Sequence, residues 1–143
     1  MLINLSNHPV EGIWNDELGK YVNEWDPNQL KTAIETWDKI EYIPFPKIPS
    51  EASYSDVKHL AEEYLQKCLD TFAQQHTNTE QCVLLTGEIV FCSIISQLLL
   101  REGIRVVCAT TERNNINLGN GKSLKGFRFI SFRDYGIPVK VKI

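Results

Sequence analysis

Apolar and polar positions along the 143-residue chain switch between a strand-like and a helix-like period, and the switches divide it into elements. Leu2-Ile-Asn-Leu5 is a short apolar run, a strand that stops at the turn-forming Ser6-Asn-His-Pro9. Residues 10 to 25 show no clean period and read as an excursion with room for one helical turn. Asp26-Pro27 is a sharp helix start, with Asp as N-cap and Pro in the first turn. Leu30, Ala33, Ile34 and Trp37 follow at helical spacing, with Trp25 and Trp37 as anchors. Lys39-Ile-Glu-Tyr-Ile43 alternates as a strand and ends at Pro44-Phe-Pro46, which opens a loop over 44 to 53. A second helix begins near Ser55, with Val57, Leu60, Ala61, Tyr64, Cys68 and Phe72 on one face, and frays over 74 to 78.

The most informative stretch is a strand, polar turn, helix and strand over residues 82 to 113. Val83-Leu-Leu85 and Ile104-Arg-Val-Val-Cys-Ala109 are nearly continuous apolar runs, as interior parallel strands require. Phe91, Ile94, Ile95, Leu98 and Leu99 stripe the helix between them, and Gly103 stops it. Beyond it, Asn114 to Lys122 is turn-rich, and Asn120-Gly121 is a hairpin signal. Phe127-Arg-Phe-Ile-Ser-Phe-Arg133 then alternates, with the phenylalanines opposite Arg128. Val139, Val141 and Ile143 alternate with Lys140 and Lys142 as a short edge strand. These elements predict one α/β domain over 1–143, with a mostly parallel sheet, flanking helices and a C-terminal β-hairpin.

Composition changes this picture little. Apolar residues are 43% and charged residues 23% of the chain, ordinary for a globular domain. A net charge of -3 argues against duplex nucleic acid as partner, which calls for a broad basic surface. Cys68, Cys82, Cys92 and Cys108 form no Cys-x-x-Cys pair and do not cluster with His8, His59 or His76, so they read as small buried hydrophobes. No metal site and no cofactor is expected. With no signal-like N-terminus and no apolar run of about 20 residues, no membrane partner and a cytoplasmic location are expected.

Ligands of open α/β sheets bind outside the carboxyl ends of the strands. Three polar segments fall there: Ser6-Asn7-His8, Thr86-Gly87-Glu88 and Thr110-Thr111-Glu112-Arg113. A glycine at a strand-to-helix turn admits close approach to backbone N–H groups, the threonines offer hydroxyls, and Arg113 offers a planar cation. Together they suit a phosphorylated or nucleotide ligand, with Arg133 and Tyr135 as further candidates. Each also has a plainer reading. Thr-Gly-Glu lacks the glycine pattern of a dinucleotide or P-loop motif, and Glu88 complements a helix dipole while repelling phosphate. His8 is as easily an ordinary turn histidine, and Phe127, Phe129 and Phe132 suit a stacking platform but are better read as core.

The series Leu-Ile-Asn-Leu-Ser-Asn-His-Pro at 2 to 9, Trp25 with Gln29 and Ala33, the Thr-Gly-Glu turn, Gly103-Ile-Arg-Val-Val-Cys-Ala-Thr-Thr-Glu-Arg113 and Phe127-Arg-Phe-Ile-Ser-Phe-Arg-Asp-Tyr135 resembles small CRISPR-associated proteins of the CARF-like, Rossmann-like type. The resemblance covers most of the chain apart from residues 10 to 24. It implies a Rossmann-like homodimer whose sheet edges form one pocket for a cyclic oligoadenylate messenger in type III CRISPR antiviral signalling. Some such proteins only bind the messenger, whereas ring nucleases cleave it without metal, a 2′-hydroxyl attacking the adjacent phosphate. Under that implication His8, Glu112 and Arg113 carry catalysis, with His8 or Glu112 moving the proton. Ser6, Asn7, Thr86, Gly87, Glu88, Thr110, Thr111, Arg133 and Tyr135 then contact the ligand. The lysine-bearing signature usual after a glycine-rich turn is absent, since Glu88 follows Gly87. A non-catalytic protein-interaction module, docking through its aromatic C-terminal strands, is the competing reading. A small-molecule hydrolase using His8 and Glu112 is a third, lacking a nucleophile elbow.

Overall fold

The computed structural model describes residues 1–75, 78–117, 119 and 123–139. Five strands form one sheet: β1 (Leu2–Ser6), β4 (Ile40–Pro44), β5 (Cys82–Leu85), β6 (Arg105–Asn117) and β7 (Ser123–Asp134). Their order is β4-β1-β5-β6-β7. Every neighbouring pair is parallel except β6 and β7, which form the expected antiparallel C-terminal hairpin. A separate antiparallel pair, β2 (Ile13–Asn15) and β3 (Lys20–Val22), follows β1. The architecture is a Rossmann-like α/β fold.

Helix α1 (Pro27–Trp37) covers one face of the sheet. The Asp26 carboxylate caps it by accepting from the N–H of Asn28. Beneath it, Trp25, Ala33 and Trp37 pack on Leu2, Cys82, Leu84 and Val107. Helices α2 (Tyr54–Gln74) and α3 (Ile89–Arg101) cover the other face over Ile3, Leu5, Val83, Leu85 and Val106. Ser53 and Asp56 form a reciprocal capping box on α2. Gly103, at φ +79°, takes the left-handed position that ends α3. Each central strand thus sends alternate side chains into two cores, which is why the interior runs are apolar throughout.

Two expectations are refined by the structure. Residues 10 to 25 form the β2–β3 hairpin, and the one helical turn they had room for closes it: the Gly19 N–H donates to the Asn15 carbonyl four residues back (2.9 Å). Trp14 faces Tyr21 across it, edge to face at 5.3 Å, and the Asn15 side chain accepts from the N–H of Leu18 to shape the turn. Strands of three residues are too short to display a period. Second, Thr110-Thr-Glu-Arg113 is not a loop but the continuation of β6, paired with β7 as far as Asn117. The apolar run ends near Ala109 because β5 ends there: β5 pairs with β6 only through Val107, and further out β6 has β7 as its sole partner strand. A two-stranded ribbon with little above or below it needs no continuous apolar side chains.

The hairpin residues Asn120 and Gly121 lie outside the described residues. So does the expected edge strand beyond Val139, and Val139 itself is not in a strand. Cys68, Cys82 and Cys92 are buried thiols and Cys108 is half-buried; all four are free. Among the described residues, no helix is long and apolar enough to cross a membrane.

Candidate functional site

A cavity of about 730 Å³ opens on the α1 face at the carboxyl ends of β1 and β5. Its base is Ser6, Leu84 and Ala109. Trp25, Asp26 and Gln29 form the α1 side, and Thr111, Phe127 and Phe129 form the β6–β7 side. His8, Asn23, Glu24 and Thr86 complete the lining. Its size falls within the ~300–1,000 Å³ usual for small-ligand sites.

The end of β1 is built from hydrogen bonds converging on His8. Asn4 and Ser6 are buried polar residues, so their side chains must find partners. Ser6 Oγ donates to Asn4 Oδ1 (2.6 Å), Asn4 Nδ2 donates to the His8 carbonyl (2.9 Å), and the His8 N–H donates to Ser6 Oγ (3.0 Å). The indole of Trp25 adds a second donor to the same carbonyl at 2.8 Å. His8's main chain is thereby fixed while the residue stays exposed at the cavity. Across it, the Asp26 carboxylate accepts from the N–H of Asn28 with Oδ1 (2.7 Å) and from the N–H of Phe129 with Oδ2 (3.0 Å). One side chain therefore ties α1 to β7. These bonds, that to Phe129 foremost, hold its pKa below the ordinary 3.8, so it is a carboxylate at neutral pH.

The residues expected to bind ligand divide between the two faces of the sheet. Ser6, His8, Thr86 and Thr111 line the cavity. Asn7 is exposed outside it. Arg113 stands on the cavity face, its guanidinium 5.8 Å from the ring of Phe127. Thr110 and Glu112 point to the opposite face and are engaged by β7: Thr110 Oγ1 lies 2.9 Å from Ser131 Oγ, and Glu112 is paired with Arg128 at 2.8 Å. His8 and Glu112 therefore do not share a site.

Gly87 and Tyr135 line a second cavity of about 590 Å³ on the α3 side, where the Tyr135 hydroxyl donates to the Leu85 carbonyl (2.7 Å). Burial raises that hydroxyl's pKa. Exposed Arg133 pairs in register with Cys108 on this same face. Nor is the N-terminus of α3 an open anion cradle: Glu88 accepts from the N–H groups of Val90 (2.9 Å) and Phe91 (2.7 Å). Gly87 is small because the ring of Phe45 lies over it; a Cβ there would come within 2.2 Å of Phe45 Cζ.

Sequence reasoning did not place Trp25, Asp26 or Gln29 at the site, and weighed Phe127 and Phe129 as a stacking platform only to favour the core. A bulge between Thr110 and Thr111 breaks the β7 alternation, so Phe129 faces Thr111 and Phe132 faces Ala109 on the α1 face. Phe129 is buried, 4.9 Å from the Phe132 ring, whereas Phe127 is 68% exposed. The signal within reach was Trp25 and Asp26 just ahead of the helix, where an aromatic and a cap meet the ligand edge.

The fold and cavity define a Rossmann-like α/β domain with a cavity at the carboxyl ends of its strands. Within that class, the chain belongs to the Uncharacterized protein MJ1673 family, whose model matches residues 1–133. No curated protein and no solved structure matches the chain.

Proposed function

We propose that this protein binds a cyclic oligoadenylate messenger in the strand-end cavity, as the resemblance to CARF-like CRISPR-associated proteins implies. The observation that carries the reading is the cavity itself, at the favoured edge of a parallel sheet and walled by aromatic residues on two sides. Of the three residues expected to act in ring opening, His8 alone lines it. In that reaction the ligand's 2′-oxygen bonds to phosphorus, its proton passes to His8, and the phosphorus–O5′ bond breaks, O5′ taking a proton from solvent. A cyclic phosphate and a 5′-hydroxyl result. Pairing of two copies belongs to the same proposal and draws support from Ile89 and Phe127, 80% and 68% exposed beside this edge.

The test is incubation with cyclic tri-, tetra- and hexa-adenylate without added metal, followed by chromatography. Products ending in cyclic phosphate assign a ring nuclease, and His8→Ala then lowers the rate at least tenfold. Intact ligand co-eluting with the protein assigns a sensor. Absence of both binding and cleavage overturns the reading. A non-catalytic interaction module would then lead; it is favoured by the β2–β3 hairpin, where Trp14 and Tyr21 are both about half exposed.

A further inference from the structure

The nucleotide reading above leaves open which end of the ligand enters the cavity, and the charges answer that question. Glu24 and Asp26 contribute two carboxylates to the lining, and among the described residues no lysine or arginine lines it. Asp26 cannot swing aside, since both its oxygens are held, by Asn28 and by Phe129. A phosphate taken into this space would lose water and meet two carboxylates, while the cation felt by Asp26, Arg128, is paired with Glu112 on the far face. A nucleobase meets neither penalty. Phe127, 68% exposed, offers an aromatic face for stacking beside the nearly buried rings of Trp25 and Phe129, and the Gln29 carboxamide offers the paired donor and acceptor that suit adenine.

The cation lies further out on the same strand. Ala109, Thr111 and Arg113 occupy alternate positions of β6 on the α1 face. At a rise of ~3.4 Å per residue, Arg113 stands on the order of 13 Å beyond Ala109. Thr111 falls midway, level with a sugar, and Phe127 joins the cavity lining to Arg113.

We propose that the cavity takes the adenosine moiety base-first, with Gln29 reading the base, and that Arg113 holds the phosphate outside it. The inference rests on the nucleotide reading and is tested separately from it. Binding of adenosine and of cyclic tetra-adenylate is followed by calorimetry between 50 and 300 mM salt. Adenosine is expected to bind with little salt dependence and to compete with cyclic tetra-adenylate. Arg113→Ala is expected to weaken cyclic tetra-adenylate at least tenfold and to reduce its log–log salt slope by about 0.7, one phosphate contact on a single strand. Ala109→Leu, which fills the base of the cavity, is expected to weaken both ligands at least tenfold.

Cyclic tetra-adenylate binding that adenosine cannot compete with, and that Ala109→Leu leaves intact, overturns the orientation while the nucleotide reading stands. Binding of neither ligand overturns both. A circular-dichroism melt checks that Ala109→Leu folds, and Arg113, exposed on β6, supplies the second variant.

Discussion

Gly87→Ala separates two explanations of the Thr86-Gly87-Glu88 turn. If the glycine serves close approach of a ligand, a methyl group costs binding and leaves stability alone. The structure places the ring of Phe45 in that space, its Cζ, Cε2 and Cε1 atoms 2.2, 2.3 and 2.6 Å from where the alanine Cβ would lie. The ring has little room to retreat. Phe45 is 8% exposed and meets Phe91 edge to face at 5.0 Å, and Phe91 meets Tyr64 at 5.7 Å. Overpacking of this kind costs about 1–3 kcal/mol. For a chain of this length, with an unfolding entropy of ~2 cal/mol/K per residue, that corresponds to a fall in Tm of roughly 3–10 °C. Phe45→Leu removes all three clashing atoms, so the double variant should recover most of the loss attributable to Gly87→Ala. Urea unfolding of wild type, both single variants and the double variant measures the coupling. Effects that add to within ~0.5 kcal/mol refute the contact. An unchanged Tm combined with lost ligand binding would return Gly87 to the ligand.

Asp26→Asn keeps a capping oxygen and removes the charge, so it should cost about 0.3–1 kcal/mol at pH 7 through the helix dipole, with the bond to β7 weakened as well. Because the folded-state pKa of Asp26 is depressed, its contribution is present above the ordinary value of 3.8 and lost as pH falls through the lower one. The difference between wild type and Asp26→Asn should therefore shrink in urea titrations below pH 4, and a constant difference would refute the assignment. Burial pushes the thiols of Cys68 and Cys82 up to about 12. Neither should react with iodoacetamide at pH 7.5 until the chain unfolds, as mass spectrometry of labelled peptides would show. Fast native labelling at either position would contradict the packing.

Local signals made most of the frame legible. Asp26-Pro27 marked the start of α1 because capping is chemistry between near neighbours, and Gly103 marked the end of α3 for the same reason. The parallel strands announced themselves because both of their faces are buried, which demands apolar residues without interruption. The candidate site was legible only in its location. His8, Thr86 and Thr111 line the cavity, but the other half of the lining comes from Trp25, Asp26 and Gln29 near the start of α1 and from Phe127 and Phe129 on β7. Those segments are about 100 residues apart in sequence, and no periodicity within either reports that they meet.

What the sequence alone determined, then, is the three helices, the strands β1, β4, β5 and the inner half of β6, the signals at Asp26 and Gly103, and the edge at which polar residues gather, since each depends on a residue and its near neighbours. What only the tertiary structure decided is which face of β6 each residue occupies relative to a partner strand. The end of β5 turned Thr110 to Arg113 from a loop into a ribbon, and the bulge at Ile130, opposite Thr110 and Thr111, put Phe129 and Phe132 on one side. Side chains alternate with a period of two, so a single inserted residue reverses the face of everything beyond it. That reversal is fixed by pairing between strands, and pairing is a property of two segments at once.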